Sequence, residues 1–398
     1  MTAPSASRLR PRHRWRYVLT AISGLLLISL DVLSAWHCRP SEPVQSWPIA
    51  GFSSPLATSP RAPLVAMDTT FHGLVDSPTR AATKTVELRA IPDGTLVRTF
   101  PAGNVSALAF SPDGQVLAIG GGDGIVQLWQ VTAGRRLRAF PPQRSSIHQL
   151  AFSPTGAALL IDQTVWDLAT GHLRFTLPLQ SEPIAFNPDG QTLADTERAG
   201  IVIRRVEDGS RIRTLAVHGG IDSFSPDGQI MVVIQPANDA QVRWLRSQDG
   251  QVVRTLPVDR SRIYTSSWSP DGAWFGLAEG SSYGGGGIME FHTFDWLIPP
   301  GWITIRRGSD GQVVQRLQGH TIRTDNIVFS ADGAWVISSG EDQRVKLWQV
   351  APQDPRWGHM LQGVRLLLAL WGLWLGWLVW PVIWRIVRAG MVWCWSGG

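Results

Sequence analysis

The sequence predicts an all-β fold, a seven-bladed β-propeller flanked by an N-terminal and a C-terminal transmembrane helix. Three features support this prediction: a turn motif close to Ser-Pro-Asp-Gly occurs seven times, a strand-like segment follows each copy, and an apolar segment stands near each end of the 398-residue chain. Repeats of about 40 residues built from short strands are typical of propellers, in which each repeat forms one four-stranded blade.

The repeated turn separates the first and second predicted strands of each unit. Proline presets φ and glycine accepts a positive φ, so the motif makes a tight turn between two segments of alternating apolar residues. The seven copies are "LATSPRAPLVAM" (56–67), "LAFSPDGQVLAI" (108–119), "LAFSPTGAALLI" (150–161), "IAFNPDGQTLAD" (184–195), "DSFSPDGQIMVV" (222–233), "SSWSPDGAWFGL" (266–277) and "IVFSADGAWVIS" (327–338). Successive turns lie 34 to 61 residues apart.

A third predicted strand follows in every unit, and a fourth follows it in all units but the last. The third strands are "TVELRAI" (85–91), "IVQLWQV" (125–131), "QTVWDL" (163–168), "IVIRRV" (201–206), "QVRWLR" (241–246), "WITIRR" (302–307) and "RVKLWQV" (344–350). Because the last unit ends at Val350 without a fourth strand, we expect "PVQSWPIA", Pro43 to Ala50, to supply it. This donated strand would close the ring and protect the edge that an open array exposes.

The last unit, "LQGHTIRTDNIVFSADGAWVISSGEDQRVKLWQV", resembles the WD-repeat family, and the resemblance extends over residues 43–350. It implies a hydrogen-bonded cluster of His320, Ser338, Asp342 and Trp348 that stiffens the blade, and a propeller that serves as a binding platform for proteins. The Trp-Asp dipeptide of the family occurs only at 166–167, and the other blades have no full set of cluster residues. We therefore expect those blades to depend on strand pairing and apolar packing.

The N-terminal apolar segment, residues 17–36, follows a basic tail, residues 1–16, that contains five arginines. About twenty residues suffice for a helix to cross the hydrocarbon core, so the segment predicts a transmembrane helix or signal anchor. The alternative is a signal peptide cleaved near residues 32–34.

The C-terminal apolar segment, residues 364–386, follows a linker, residues 351–363, and precedes a tail, residues 387–398. It predicts a second transmembrane helix, and the alternative is a buried amphipathic helix. Gly372 and Gly376 would allow helix pairing and a homo-oligomer, although glycine is also ordinary in membrane helices.

Arginines flank both apolar segments, which places both tails in the cytoplasm and the propeller outside it, in the inner membrane of a bacterium, by the positive-inside rule. Exposure of the propeller to the cytoplasm is the alternative. We expect both helices to leave the propeller on the face of the Ser-Pro-Asp-Gly turns.

Composition argues against several functions. The net charge of +5 comes from the terminal segments, since residues 1–35 carry +4 and residues 364–398 carry +3, so we expect no nucleic-acid partner. Two distant cysteines and scattered histidines predict no metal site, and we expect no cofactor.

"GSSYG" (280–284) has the spacing of a nucleophile elbow around Ser282, but no helix follows it, so we interpret it as a flexible loop. "GGGDG" (120–124) is interpreted as a hairpin turn.

One insertion stands out by its length and composition. Residues 281–301 lie between the second and third predicted strands of the sixth unit and combine glycines with large apolar side chains. The resemblance to WD repeats implies that this insertion is on the face opposite the Ser-Pro-Asp-Gly turns. We predict that Phe291, Phe294 and Trp296 anchor a protein partner, because large aromatic residues dominate interface energies. The alternative is that they fold back and plug the propeller channel.

The resulting function is a non-enzymatic, membrane-anchored scaffold that binds an unidentified protein outside the cytoplasm and contacts membrane lipid through its two helices. The alternative is an extracytoplasmic enzyme or small-molecule binder with a site in the central channel. Such a site requires polar residues converging from several blades, and the sequence shows no such set.

Overall fold

The described residues form seven four-stranded antiparallel sheets, which confirms the predicted all-β, seven-bladed propeller. The computed structural model describes residues 41–49, 55–68, 85–143, 145–178, 184–235, 241–258, 262–280, 302–321 and 323–350. Strands of three to seven residues alternate with tight turns throughout these ranges.

The first four blades each take four consecutive strands. Blade 1 contains β2 (Leu56–Thr58), β3 (Leu64–Asp68), β4 (Thr85–Ala90) and β5 (Leu96–Pro101). Blade 2 contains β6 (Val105–Phe110), β7 (Val116–Gly121), β8 (Val126–Gln130) and β9 (Arg136–Ala139). Blade 3 contains β10 (Leu150–Phe152), β11 (Ala158–Ile161), β12 (Thr164–Asp167) and β13 (Leu173–Thr176). Blade 4 contains β14 (Ile184–Phe186), β15 (Thr192–Glu197), β16 (Gly200–Arg205) and β17 (Arg211–Leu215).

The remaining blades follow the same order until the ring closes. Blade 5 contains β18 (Gly220–Phe224), β19 (Ile230–Gln235), β20 (Gln241–Arg246) and β21 (Val252–Leu256). Blade 6 contains β22 (Arg262–Trp268), β23 (Trp274–Gly280), β24 (Trp302–Arg307) and β25 (Val313–Gln318). Blade 7 contains β26 (Thr324–Phe329), β27 (Trp335–Gly340), β28 (Arg344–Gln349) and, from the N-terminal side of the chain, β1 (Gln45–Pro48).

The first strands of neighbouring blades lie beside one another around the axis, and β26 contacts β2 where the ring closes. The fourth strand of each blade therefore lies at the periphery. We call the face with the Ser-Pro-Asp-Gly turns and the third-to-fourth turns the turn face. The opposite face, with the second-to-third connections, is called the insertion face.

Closure of the ring follows the prediction. β1 pairs antiparallel with β28, with Gln45 opposite Leu347 and Pro48 opposite Arg344. The path before β1 differs from the expected exit on the turn face, because Ser41 forms a parallel bridge with Leu317 on the outer edge of β25. The N-terminal segment thus crosses from blade 6 to blade 7. Only the C-terminal end of the propeller, where the Val350 amide donates to the Ala334 carbonyl over 2.9 Å, lies on the turn face.

The repeated turn owes its shape to its own side chains. In blade 2 the Ser111 hydroxyl donates to Asp113 over 2.5 Å and accepts a bond from the Val116 amide over 2.9 Å. Gly114 takes the positive φ of +72° that the turn needs. The serines of this motif are buried at the end of the first strand. Their hydroxyls therefore form hydrogen bonds within the turn, and the motif has a structural role.

Adjacent blades are joined by a contact at the glycine of each third-to-fourth turn, which is described for blades 1 to 6. A side chain from the outer strand of the preceding blade packs against that glycine: Trp47 on Gly94, Arg98 on Gly134, Arg138 on Gly171, Phe175 on Gly209, Leu215 on Gly250 and Leu256 on Gly311. A Cβ on Gly134 would lie 2.7 Å from Arg98 Nη1, closer than such atoms approach one another. Arg98, Arg138 and Arg213 also donate to main-chain carbonyls of the next blade's turn.

Several predicted regions lie outside the described residues. These are the N-terminal tail and apolar segment, and the whole of the second compact unit of the chain, residues 351–398. Within the described ranges, no helix has the length and apolarity needed to cross a membrane.

Candidate functional site

The structure brings together the four residues that the sequence predicts as the blade 7 cluster. His320 lies between β25 and β26, Asp342 lies in the β27–β28 turn, and Ser338 and Trp348 lie on paired strands. The Trp348 indole donates to Ser338 Oγ over 2.8 Å, Ser338 Oγ lies 2.7 Å from His320 Nε2, and His320 Nδ1 lies 2.7 Å from Asp342 Oδ1. One chain of hydrogen bonds therefore ties the connection from blade 6 to the last two strands of the ring.

The donors in this chain follow from its chemistry. Because the indole N–H can only donate, the Ser338 hydroxyl accepts a hydrogen bond from Trp348 and donates one to Nε2 of a neutral His320. The Nδ1–H of His320 then donates a hydrogen bond to Asp342. Burial lowers the pKa of His320, although Asp342 opposes this shift. The lowered pKa keeps the imidazole neutral. Burial alone would raise the pKa of Asp342, but the bonds to His320 and Lys346 lower it to about 2.

Lys346 is a member of the blade 7 cluster that the sequence analysis missed. Its ammonium donates to Asp342 Oδ2 over 2.7 Å and to the Gly319 carbonyl. The signal for it was present, since residues two apart on a strand share a face and Lys346 precedes Trp348 by two. Lys346 supplies the positive charge that balances the buried aspartate.

The order Ser338–His320–Asp342 has the hydrogen-bond geometry of a hydrolase triad. Ser338 is fully buried, with an exposed fraction of 0%, and its hydroxyl already accepts the Trp348 N–H. A nucleophile must reach a substrate carbonyl beside an oxyanion hole, and a buried hydroxyl inside the blade cannot. The cluster is therefore built for rigidity.

Three other blades contain an ion pair where blade 7 has its tryptophan, so these blades have a polar contact in addition to the strand pairing and apolar packing that the sequence predicts for them. Arg89, Arg204 and Arg306 each hold the second-last position of the third strand, as Trp348 does. Their carboxylate partners are Glu87 at 2.7 Å, Asp195 at 2.7 Å with Glu197, and Glu279 at 3.2 Å. Each guanidinium also donates to the carbonyl of the turn glycine five residues later, so it locks the third-to-fourth turn.

A second polar cluster, here called the mouth cluster, lies on the insertion face between blades 6 and 7. Arg323 pairs with Asp325 at 2.7 Å and with Glu341 at 3.0 Å, and its guanidinium lies 5.4 Å from the centre of the Tyr264 ring. Burial raises the pKa of Asp325 to about 6, although Arg323 opposes the shift. Asp325 Oδ2 is buried and has no hydrogen-bond partner among the described residues.

The predicted partner residues Phe291, Phe294 and Trp296 lie outside the described residues, as does Ser282. The strands on either side of this insertion are described: Glu279 pairs with Trp302, so the insertion leaves and re-enters blade 6 on the insertion face. Within the described part of the chain, no three His, Cys, Asp or Glu side chains are grouped closely enough to hold a metal ion.

The closed ring of four-stranded blades, the repeated turns and the blade 7 cluster are similar to those of WD-repeat β-propellers. The family model described as "WD domain, G-beta repeat" matches this chain at residues 94–130, in blades 1 and 2, and at residues 311–349, in blades 6 and 7. The second match includes all four predicted cluster residues.

Among curated proteins, this chain is similar to telomerase protein component 1 of Rattus norvegicus, with 36% identity over 27% of this chain and 4% of the relative. It is 36% identical to small ribosomal subunit protein RACK1 of Brassica napus, over 24% of this chain and 30% of the relative. It is 35% identical to spindle assembly checkpoint protein bub3 of Schizosaccharomyces pombe, over 17% of this chain and 22% of the relative. These matches span less than a third of each relative, so they describe shared repeats.

A solved chain in the crystal structure of a mitotic checkpoint complex has the same fold, with a TM-score of 0.61 and 18% sequence identity. The superposition covers 78% of this chain and 95% of that chain. At this identity the likeness concerns the fold alone.

Proposed function

We propose that this protein is a non-enzymatic interaction scaffold, a WD-repeat propeller that is anchored in a membrane and binds a protein partner on its insertion face. The observation that carries the proposal is the closed ring together with the blade 7 cluster, in which His320, Ser338, Asp342 and Trp348 satisfy one another's hydrogen bonds. Groups used in this way stiffen a platform, and they leave recognition to the surface connections. The similarity to small ribosomal subunit protein RACK1 and to spindle assembly checkpoint protein bub3 supports a role in assembly with other proteins.

Within this proposal, the partner is held by the insertion of residues 281–301. Phe291, Phe294 and Trp296 supply the large aromatic surface that interface anchors need, and the described strands bring the insertion to the insertion face. The other outcome is that these side chains fold back into the channel.

The test replaces Phe291, Phe294 and Trp296 with serine in the full chain and measures both melting temperature and photocrosslinking from a probe introduced at His292. We expect the crosslinked complex to disappear while the melting temperature stays within about 2 °C of the parent. Phe71→Ser is the matched control, because Phe71 lies in a different second-to-third connection. An unchanged complex together with a lower melting temperature would identify a plug and remove the binding role.

Membrane anchoring belongs to the same proposal, with both termini in the cytoplasm and the propeller on the extracytoplasmic side. Its support is the arginines that flank the apolar segments 17–36 and 364–386. We expect a periplasm-active reporter to be inactive when fused at residue 1 or 398, and protease added to spheroplasts to degrade the propeller. An active reporter at either end, or a protected propeller, contradicts this topology.

A further inference from the structure

The outer wall of the propeller has a ring of exposed aliphatic side chains. Among the described residues, ten large hydrophobic side chains are exposed, and every one of them lies in or directly before a peripheral strand. They are Val44, Leu96, Val97, Leu137, Leu173, Ile212, Val252, Val253, Val313 and Val314. Scattered exposed apolar residues need no explanation, but a set confined to one ring points to a common surface.

The ten residues share one place in the blade. In blades 1 to 6 they stand two or three positions after the glycine of the third-to-fourth turn, at the turn-face end of the outer strand. Val44 holds the same place in blade 7, because Gln45 pairs with Leu347 as Gln315 pairs with Ile305 in blade 6. The ring therefore extends around all seven blades.

The ring is not uniform. In blades 1, 5 and 6 both positions are aliphatic, and their side chains are 38% to 54% exposed. In blades 2, 3 and 4 one of the two positions is an arginine, namely Arg136, Arg174 or Arg211. The aliphatic sector thus covers the adjacent blades 5, 6, 7 and 1, with blade 7, where the ring closes, inside it.

The charged side chains of the outer strands in this sector are positive, while Glu42, two residues before Val44, is an exposed acid beside them. None of the described outer strands contains Asp or Glu, whereas Arg98, Arg254 and Arg316 follow the aliphatic pairs in blades 1, 5 and 6. The Arg98 guanidinium also donates to the Thr132 carbonyl of blade 2. Arg316 stacks over the Trp302 ring at 5.9 Å from its centre. Aliphatic side chains bordered by guanidinium groups suit the boundary between acyl chains and anionic headgroups, where arginine reaches phosphate while its stem stays apolar.

Both ends of the propeller lie in the same sector. The Ser41 amide donates to the Arg316 carbonyl over 2.8 Å, so the N-terminal end contacts the wall of blade 6, and Val350 follows β28 in blade 7. Residue 36 precedes Ser41 by five positions and residue 364 follows Val350 by fourteen, which limits the linkers to about 17 Å and about 48 Å. A propeller anchored through these linkers keeps this wall near the bilayer.

We propose that the propeller lies side-on against the bilayer, with the aliphatic sector of blades 5, 6, 7 and 1 in the lipid interface. This rests on the membrane anchoring proposed above. Docking with the turn face flat on the membrane fits less well, because Asp93 in a turn of that face would meet anionic headgroups first. Asp249 and Asp310 lie in equivalent turns but are paired with Arg246 and Arg307. The insertion face then stays open at the side.

The test uses the full chain with Cys38 and Cys394 replaced by serine, reconstituted in phosphatidylethanolamine–phosphatidylglycerol vesicles. A single cysteine with an environment-sensitive fluorophore replaces Val253 or Val314, and the matched controls are Ile212 and Leu137 in the same ring position of blades 4 and 2. We expect doxyl-labelled lipid to quench the probes at 253 and 314 at least threefold more than those at 212 and 137.

Each other outcome overturns the proposal in a distinguishable way. Equal or absent quenching at all four sites in a protein that floats with the vesicles removes the side-on docking and leaves the anchoring intact. Failure to float with vesicles removes both. If the fluorophore at residue 253 is already shielded from water in detergent without lipid, the aliphatic sector is covered by protein, whether or not the oligomeric state rises. That result contradicts docking to lipid.

Discussion

Single residues of blade 7 show how polar groups become part of the core. The Ser338 hydroxyl accepts a hydrogen bond from the Trp348 N–H and donates one to His320 Nε2, so one small side chain satisfies two larger groups. Buried donors and acceptors cost free energy when they lose their partners, which makes this serine more important than its size suggests. The resemblance of the last repeat to WD repeats named this residue, but its Lys346 neighbour became evident only from the structure.

Ser338→Ala is expected to lower the free energy of unfolding by about 1–3 kcal/mol for each of the two groups that it leaves unpaired. The change removes the acceptor of the Trp348 N–H and the donor to His320 Nε2. Ser106→Ala is the control, because Ser106 donates a single 3.3 Å bond to the Gly120 carbonyl on the channel side. Chemical denaturation measures both, and equal losses would contradict a special role for Ser338.

Asp325 gives the protein a pH dependence of its own. Burial raises its pKa to about 6 in the folded chain, above the ordinary value of 3.8, so its charge costs stability that grows as pH rises from about 4 to 6. Asp325→Asn removes that charge, and the melting temperature of the variant relative to the parent should therefore rise over this range.

Asp113→Asn is the opposite control for this prediction. The Ser111 hydroxyl and the Gln115 amide lower the pKa of Asp113, so its charge stabilises the folded state above the unfolded pKa. The control should lose stability relative to the parent as pH rises through about 4. Parallel pH profiles for the two variants would show that Asp325 does not titrate near 6.

At the scale of elements, the strands follow closely from turn chemistry and alternation, and the polar clusters do not. The third strands begin or end within one residue of the predicted segments, and the donated N-terminal strand pairs with β28 as expected. The ion pair of Arg204 with Asp195 depends on which residues of β15 and β16 lie near each other, a register that single strands do not reveal. The bridge of Ser41 to β25 likewise depends on tertiary packing.

Trp47→Ala should destabilise the whole ring, because Trp47 is the one side chain of the four-residue β1 that packs on Gly94 of blade 1. Loss of a tryptophan from a packed contact typically costs about 3–5 kcal/mol, and the half-buried position of Trp47 places the expected cost at the lower end. Ser46→Ala, at an exposed position of the same strand, should change little. Thermal unfolding followed by circular dichroism distinguishes them, and equal melting temperatures would mean that β1 does not hold the ring.

At the scale of the whole molecule, the described residues form a closed ring of seven blades, and blade 3 shows how short a second-to-third connection the ring requires. There Ile161 pairs with Thr164 across a two-residue connection, in which Asp162 takes a φ of 48° and accepts bonds from the His148 and Gln149 amides. The sequence predicted the ring from its repeats. It also placed the insertion of blade 6 between the second and third strands, in agreement with the pairing of Glu279 and Trp302, but no repeat supplies a pattern for the arrangement within the insertion.

Replacing residues 280–301 by Asn-Gly should leave the ring intact, because Glu279 and Trp302 already pair at the base of the insertion. Asn-Gly suits a two-residue hairpin connection. We expect a melting temperature within about 3 °C of the parent and complete loss of the partner complex. A large decrease in melting temperature, measured by calorimetry, would show that the insertion supports the ring from within.

Closure by β1 also sets an order in time. The residues of β1 are among the first of the propeller to leave the ribosome, but their partner strand begins about 300 residues later, at Arg344. At about 5–20 residues per second, that interval is about 15–60 s. For this period β1 is without the strand with which it pairs in the closed ring. A chain whose synthesis ends before β28 cannot close the ring through β1, so the native state depends on complete synthesis of the last blade.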